Sequence, residues 1–246
     1  MTEPNVVAIV EVRMTSSRLP GKHLLLANGK PILQHLVERL KNVKIINKIV
    51  LATTKNSDDD ILVELANKLD VGFYRGSELD VMGRVIEAGE AFSADVICEV
   101  TGDCSIIDGK LIDQLIRTYL LNNVDYVSDG KSGQPIGMSA QVFSLDTLKR
   151  SYAMTQDSLD LEHVTLHIRN NPELFSSIYT VAPFHLYWPE LMLVLDEKDD
   201  YQLLKKIIEH FGDRHPFFSC LDVIELLREN NDWVKINQHV RRKGDT

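Results

Sequence analysis

Residues 13–22 concentrate groups that bind phosphate: three cations (Arg13, Arg18, Lys22), three hydroxyls (Thr15, Ser16, Ser17) and the turn pair Pro20-Gly21. They follow the apolar run Val6, Val7, Ala8, Ile9 and Val10, short and β-branched enough for a buried parallel strand. A strand that empties into such a loop is shaped for a polyanion. Gly21 and the small hydroxyl residues let backbone N–H groups approach phosphate oxygens, while the cations neutralise their charge. The ligand this chemistry implies is a nucleoside triphosphate. The spacing is that of neither a Walker loop nor a G-x-G-x-x-G dinucleotide loop. A basic turn after a strand is also a common solvated feature, so other residues must decide.

Several of those residues sit where strands should end. Asp103 follows Gly102 just past the apolar run 94–100, where an α/β enzyme holds Mg²⁺ against substrate phosphates. An Asx turn or cap is the competing role, and it is the one expected of Asp108 ahead of a helix over 110–121. Thr53 and Thr54 close the run 48–54 at the level where an open parallel sheet places ligand contacts. Asp58, Asp59 and Asp60 read as acidic residues favouring the dipole of the helix they open. Asp80 and Arg84, four apart in a helix capped by Ser77, read from spacing as a surface ion pair. Glu162 and His163 have the types of an acid–base pair, and His163 with His167 the spacing of two metal ligands. No glutamate lies between the histidines and no third soft ligand is evident, which argues against zinc.

Residues 13–22, together with Gly29-Lys30-Pro31-Ile32-Leu33, resemble the signature of the sugar nucleotidyltransferases that use CTP. These are the acylneuraminate and deoxy-octulosonate cytidylyltransferases, and most closely the branch named after spore-coat polysaccharide biosynthesis. The resemblance implies a Rossmann-like nucleotide-diphospho-sugar transferase fold and transfer of CMP from CTP to a sugar hydroxyl with release of pyrophosphate. It places Arg13, Arg18 and Lys22 on the phosphates and Ser16 and Ser17 in loop hydrogen bonds to the nucleotide. Residues 75–84 are similar to the family's R-G-S-x-x-D-V-x-x-R string, which makes Arg75, Asp80 and Arg84 nucleotide contacts. Thr101 to Asp108 resemble T-G-D-C-P-L-I-D, with Ser105 in place of proline, so Thr101 joins the nucleotide site and Asp103 is the metal aspartate. Asp196 to Tyr201 look like L-D-x-x-x-D-Y, which implies Asp196 as the second Mg²⁺ carboxylate; capping the helix that follows is its alternative role. The stretch 135–143 resembles P-x-G-L-D-V-E-V-F, but Ser139 and Gln141 replace its two carboxylates, a change that bears on the acceptor. Glu162 to Thr165 match R-E-H-V-T after its first residue, which puts Glu162 and His163 at the sugar pocket or a subunit interface.

Positioning these groups calls for an α/β fold. Strands over 6–10, 48–54, 71–76, 94–100 and 124–128 alternate with helices over 31–42, 58–69 and 110–121. This pattern predicts three layers, a mainly parallel mixed sheet with helices on both faces. Later expectations are a strand within 134–143, helices over 145–152 and 161–169, strands over 176–182 and 191–195, and a helix running to 210. A helix over 219–229, an extended segment over 233–237 and a solvated basic tail at 241–243 complete the set. The 246 residues, 44% apolar and 26% charged, suit one soluble domain with a substantial core. A net charge of −9 argues against nucleic acid as a partner. No run has the length of a membrane span, and no secretory pattern precedes the first strand, so a cytoplasmic enzyme is expected. The three cysteines form no C-x-x-C pair and read as reduced thiols. The expected partners are CTP and a small acidic sugar, and the resemblance adds a homodimer. A glycosyltransferase using a preformed nucleotide sugar and a non-catalytic CTP-binding protein are the other classes compatible with these residues.

Overall fold

The structure is a computed structural model in which residues 3–130 and 132–240 are described; the basic residues 241–243 lie outside them. The chain begins with β1 (Val6–Glu11), a hairpin of β2 (Leu26–Ala27) and β3 (Lys30–Pro31), and α1 (Ile32–Lys41). It continues through β4 (Lys48–Thr54), α2 (Asp60–Lys68), β5 (Gly72–Gly76), α3 (Val81–Ala91), β6 (Val96–Thr101) and α4 (Gly109–Leu121). Then come β7 (Tyr126–Ser128), β8 (Gln141–Ser144), α5 (Leu145–Met154), α6 (Ser158–Glu162), α7 (Leu166–Asn170) and β9 (Ser177–Tyr179). The last elements are α8 (Lys198–Phe211), α9 (Cys220–Glu229) and α10 (Asn231–Val234).

Seven strands form one sheet in the order β5-β4-β1-β6-β8-β7-β9. Strands β5, β4, β1 and β6 run parallel, β8 is antiparallel to both β6 and β7, and β9 is parallel to β7. This is the mainly parallel mixed α/β sheet that the element pattern predicts. The continuous apolar run of β1 has a direct cause: Val6, Ala8 and Val10 enter one core and Val7 and Ile9 the other. A strand buried on both faces needs no polar alternation. Helix α1 presents Leu33, Leu36, Val37 and Leu40 to the first core, and Met82, Val85 and Ile86 of α3 enter the second. A third core gathers Leu191, Leu193 and Leu195 with Leu203, Leu204 and Ile207 of α8 and with Val223, Ile224 and Leu227 of α9.

Four local expectations are corrected. The helix over 161–169 breaks into α6 and α7, because Val164 takes φ 36° and Val164 and Thr165 are buried there. Residues 191–195 do not close the sheet; among the described residues their one ladder contact is a parallel bridge from Met192 to Ile136. Their alternation reflects burial of one side in the third core. The segment 233–237 is not extended, since Trp233 lies in α10 and Asn237 turns back to donate to the Met192 carbonyl and to Asp200. Asp80, rather than Ser77, caps α3 by accepting from Gly83 N at 2.7 Å, and α8 starts from a capping box of Glu197 and Asp200, so Asp196 is not its cap.

Candidate active site

The C-terminal ends of β1, β4 and β6 lie side by side, and the loops that leave them form one face. In the loop after β1, the carbonyl of Met14 accepts from Ser16 N at 2.9 Å and from Gly21 N at 3.1 Å. Gly21 has φ 70°, a left-handed conformation that suits glycine. This closure turns Lys22 inward, where it is 7% exposed. Its Nζ donates to the Leu195 carbonyl at 2.6 Å and lies 3.3 Å from Asp103 Oδ2 and 3.2 Å from Asp196 Oδ1. Arg18 pairs with the same Asp196 oxygen at 2.9 Å. Leu195 N donates to the Asp103 carbonyl at 3.0 Å, so a backbone bond holds the two carboxylate-bearing segments together across 92 residues. Gly102 is equally constrained: a Cβ there would lie 2.8 Å from the Glu11 carbonyl and 3.1 Å from His23 Cε1. Burial, reinforced by the Lys22 charge, lowers His23 to about 4 and keeps it neutral at neutral pH.

Lys22, Arg18, Asp103 and Asp196 are thus brought together. Two carboxylates aimed at one point are a fitting donor set for Mg²⁺, which binds through one or two carboxylates and takes its other oxygens from water and phosphate. Among the described residues no three His, Cys, Asp or Glu side chains cluster as a ready-made metal cage. His163 and His167 are separated by the break between α6 and α7, and His167 Nδ1 is engaged with Ser151 Oγ at 3.1 Å.

The remaining nucleotide candidates divide. Arg13 stands at the loop's start, paired with Glu78 at 3.0 Å. Ser16 is half-buried, with Leu19 N 3.5 Å from its Oγ, and Ser17 is exposed. Thr53 is buried, and its hydroxyl is taken by Asp59 at 2.9 Å. Arg75 holds the loop after β4 through the carbonyls of Thr54 and Asn56, at 2.8 and 2.7 Å, and through Asp60. Arg84 is buried and donates to the Ser77 carbonyl, while Asp80, besides capping α3, accepts from Tyr152 OH at 2.8 Å. The expected ion pair between Asp80 and Arg84 is not made. These four side chains are engaged with neighbouring protein groups and make no bond to Lys22, Arg18, Asp103 or Asp196.

Beside Asp103 a cavity of about 490 Å³ opens, lined by Glu99, Thr101, Asp129, Ser139, Gln141 and Arg169 among others. Gln141 is its best-anchored group. Its Nε2 donates to Glu99 at 2.7 Å, and its Oε1 accepts from Thr165 Oγ1 at 2.7 Å and from the Tyr126 hydroxyl. Burial raises the Glu99 carboxyl; burial and then the Glu99 charge raise the carboxyl of neighbouring Glu11 well above its ordinary value. Arg169, the cation among the described lining residues, makes no ion pair with another described residue. Glu162 and His163 are exposed and do not line the cavity; Thr165 is the residue of that string that reaches it, through Gln141. Sequence reasoning also missed Asp59, Glu78, Glu99 and Arg169. A lone charge in the apolar run 96–100 was the available signal for Glu99, whereas nothing distinguishes Asp59 within its acidic triplet.

Set against known proteins, residues 7–239 match the family model described as cytidylyltransferase. The chain belongs to the cytidylyltransferase family. The enzyme is therefore a nucleotidyltransferase. It is 35% identical over 239 residues to an uncharacterized protein of Methanocaldococcus jannaschii, covering 97% of each chain. The cytidylyltransferase is also 32% identical over 233 residues to the spore coat polysaccharide biosynthesis protein SpsF of Bacillus subtilis, covering 93% of this chain and 96% of the relative. With the 3-deoxy-manno-octulosonate cytidylyltransferase of Pelobacter propionicus it shares 34% identity over 119 residues, 47% of this chain and 45% of the relative. Among solved structures, a cytidylyltransferase from Leptospira borgpetersenii superposes with a TM-score of 0.86 at 28% identity, covering 97% of this chain and 98% of that one. No helix among the described residues of the enzyme is long and apolar enough to cross a membrane.

Proposed function

We propose that the enzyme transfers CMP from CTP to the hydroxyl of an acidic sugar of nonulosonic or octulosonic type, releasing pyrophosphate, in an Mg²⁺-dependent reaction of surface polysaccharide or glycan biosynthesis. The observation that carries this reading is the convergence of Lys22, Arg18, Asp103 and Asp196 beside a cavity whose described cation is Arg169. The acceptor oxygen attacks the α-phosphorus as the bond to pyrophosphate breaks, and charge gathers on phosphate oxygens. Catalysis of such a step rests on positioning and on preorganised positive charge. Arg13, Arg18 and Lys22 supply that charge from a loop closed on the Met14 carbonyl. Asp103 and Asp196 would hold Mg²⁺, which when bound neutralises phosphate oxygens.

Arg169 supports an anionic acceptor, because a guanidinium at the cavity wall that makes no ion pair among the described residues suits a carboxylate. The names of the Bacillus subtilis and Pelobacter propionicus relatives agree with a sugar acid destined for a polysaccharide. The full complement of three loop cations and two carboxylates favours turnover over simple CTP binding. The test is pyrophosphate release with Mg²⁺, each of the four nucleoside triphosphates in turn, and a panel of eight- and nine-carbon acidic sugars. Release with CTP and one of these sugars is expected; release only with another triphosphate, or with neutral sugars alone, would overturn the assignment.

A further inference from the structure

We infer that Asp59 is a positioning residue that sets the shape of the phosphate-binding loop, an inference that rests on residues 13–22 being the CTP site. Asp59 stands in the loop after β4 and is fully buried. Its Oδ2 accepts from Thr53 Oγ1 at 2.9 Å, Thr54 N at 3.0 Å and Thr54 Oγ1 at 2.5 Å. Its Oδ1 crosses to the neighbouring loop and accepts from Met14 N at 2.7 Å. That last bond orients the peptide on which the phosphate loop closes, because the Met14 carbonyl gathers Ser16 N and Gly21 N. A carboxylate with four donors and no access to water has one geometry, and it passes that geometry to the loop.

The anchor is itself held. Arg75 binds the carbonyls of Thr54 and Asn56 and the carboxylate of Asp60, so the loop over 54–60 is fastened to β5. Asn56 Nδ2 donates to Glu78 Oε2 at 2.7 Å, and Glu78 Oε1 accepts from Thr15 Oγ1 at 2.7 Å and from Arg13 at 3.0 Å. Both grips on the start of the phosphate loop, at Met14 N and at Arg13 with Thr15, therefore trace back to the segment after β4. Asp59 is the buried carboxylate of that chain and the one bonded to the loop's backbone.

Asp59→Asn keeps size but exchanges one acceptor oxygen for an amide nitrogen that cannot accept, so that either Met14 N or Thr54 N, neither of which can reverse its role as the threonine hydroxyls can, loses its acceptor. The experiment titrates Mg²⁺-CTP into the wild type, Asp59→Asn and, as a stability control remote from the loop, Asp222→Asn in the capping box of α9. Affinity is read by calorimetry and loop order by amide hydrogen exchange. Asp59→Asn is expected to weaken CTP about ten- to hundredfold and to speed exchange across 14–21 while β1 and β4 stay protected. Asp222→Asn should lower the melting temperature without moving CTP affinity. Unchanged CTP affinity in Asp59→Asn would overturn the inference while leaving the CTP site intact. A wild type that binds no CTP would overturn the site reading and this inference with it. Should Asp59→Asn not fold, Asp59→Glu, which displaces the carboxylate by one methylene, serves instead: weakened CTP is expected, and wild-type affinity overturns the inference.

Discussion

Lys22 joins the two halves of the site. Its ammonium lies between Asp103, which follows β6, and Asp196, which precedes α8, so it both neutralises two facing carboxylates and stands where phosphate would arrive. Lys22→Ala removes both contributions. Turnover should fall about 10²–10³-fold, the usual cost of deleting one charge-stabilising donor. Stability should drop by about 1–3 kcal/mol, since the carboxylates left facing each other are only partly hydrated. Steady-state kinetics and chemical denaturation check the two effects, and wild-type turnover in Lys22→Ala would remove the lysine from the mechanism. Arg169 is assigned to the acceptor alone, so Arg169→Ala should raise the acceptor KM about 10- to 100-fold while leaving the KM for CTP in place. An equal rise in both constants would count against that division of labour. At this scale residue type and strand position in the sequence already pointed to Lys22 and Asp103, which the fold brings together. The sequence was illegible where tertiary contact assigns the role: Asp59 looks like its neighbours Asp58 and Asp60 until the fold buries it.

The strands were read more accurately than the segments after them. Lys48–Thr54 has the bounds expected from its apolar run, because burial on both faces of a parallel sheet leaves a dense signal. The run 191–195 gives a similar signal for a different reason, with three alternate leucines filling a core against helices. Side-chain alternation reports one-sided burial and cannot reveal whether the backbone has a strand partner. The same limit applies to Gln141 in β8: its type announces a polar position, but only the fold shows it spent on Glu99, Thr165 and Tyr126. The loop between β7 and β8 carries a further consequence. Burial raises Asp129 to about 6 from an ordinary value of 3.8. Between those values the folded protein holds a proton that the unfolded chain has released, so this group makes stability fall as pH rises from about 4 to about 6, and the loss persists above that range. Asp129→Asn should abolish this contribution and be more stable relative to the wild type at pH 7 than at pH 4. Urea denaturation at both values tests it, and an equal difference at the two would sink the assignment.

Across the whole molecule the chain carries a charge of −9, the same sign as the triphosphate proposed as its ligand. Attraction must therefore come from the loop cations, yet each already has an acidic partner: Arg13 has Glu78, Arg18 has Asp196, and Lys22 has both Asp103 and Asp196. A triphosphate that draws these cations away exposes two carboxylates beside its own negative charge. A divalent ion held by Asp103 and Asp196 would give these carboxylates a new partner if the cations turned toward phosphate. Nucleotide and metal should consequently bind with strong positive coupling. Saturation to about 100-fold over Kd adds about 2.7 kcal/mol of stability, which for a chain of this size corresponds to a rise in Tm of about 5–10 °C. That rise is expected with CTP and Mg²⁺ together, with shifts of about 2 °C or less for either alone at the same concentrations, on the same scaling. Asp103→Asn and Asp196→Asn should each lessen the synergy, because each removes one charge of the carboxylate pair proposed to hold the ion. A full shift with CTP in the presence of a chelator would show that the cations can leave their carboxylates without replacement, and the coupling would then have to be abandoned.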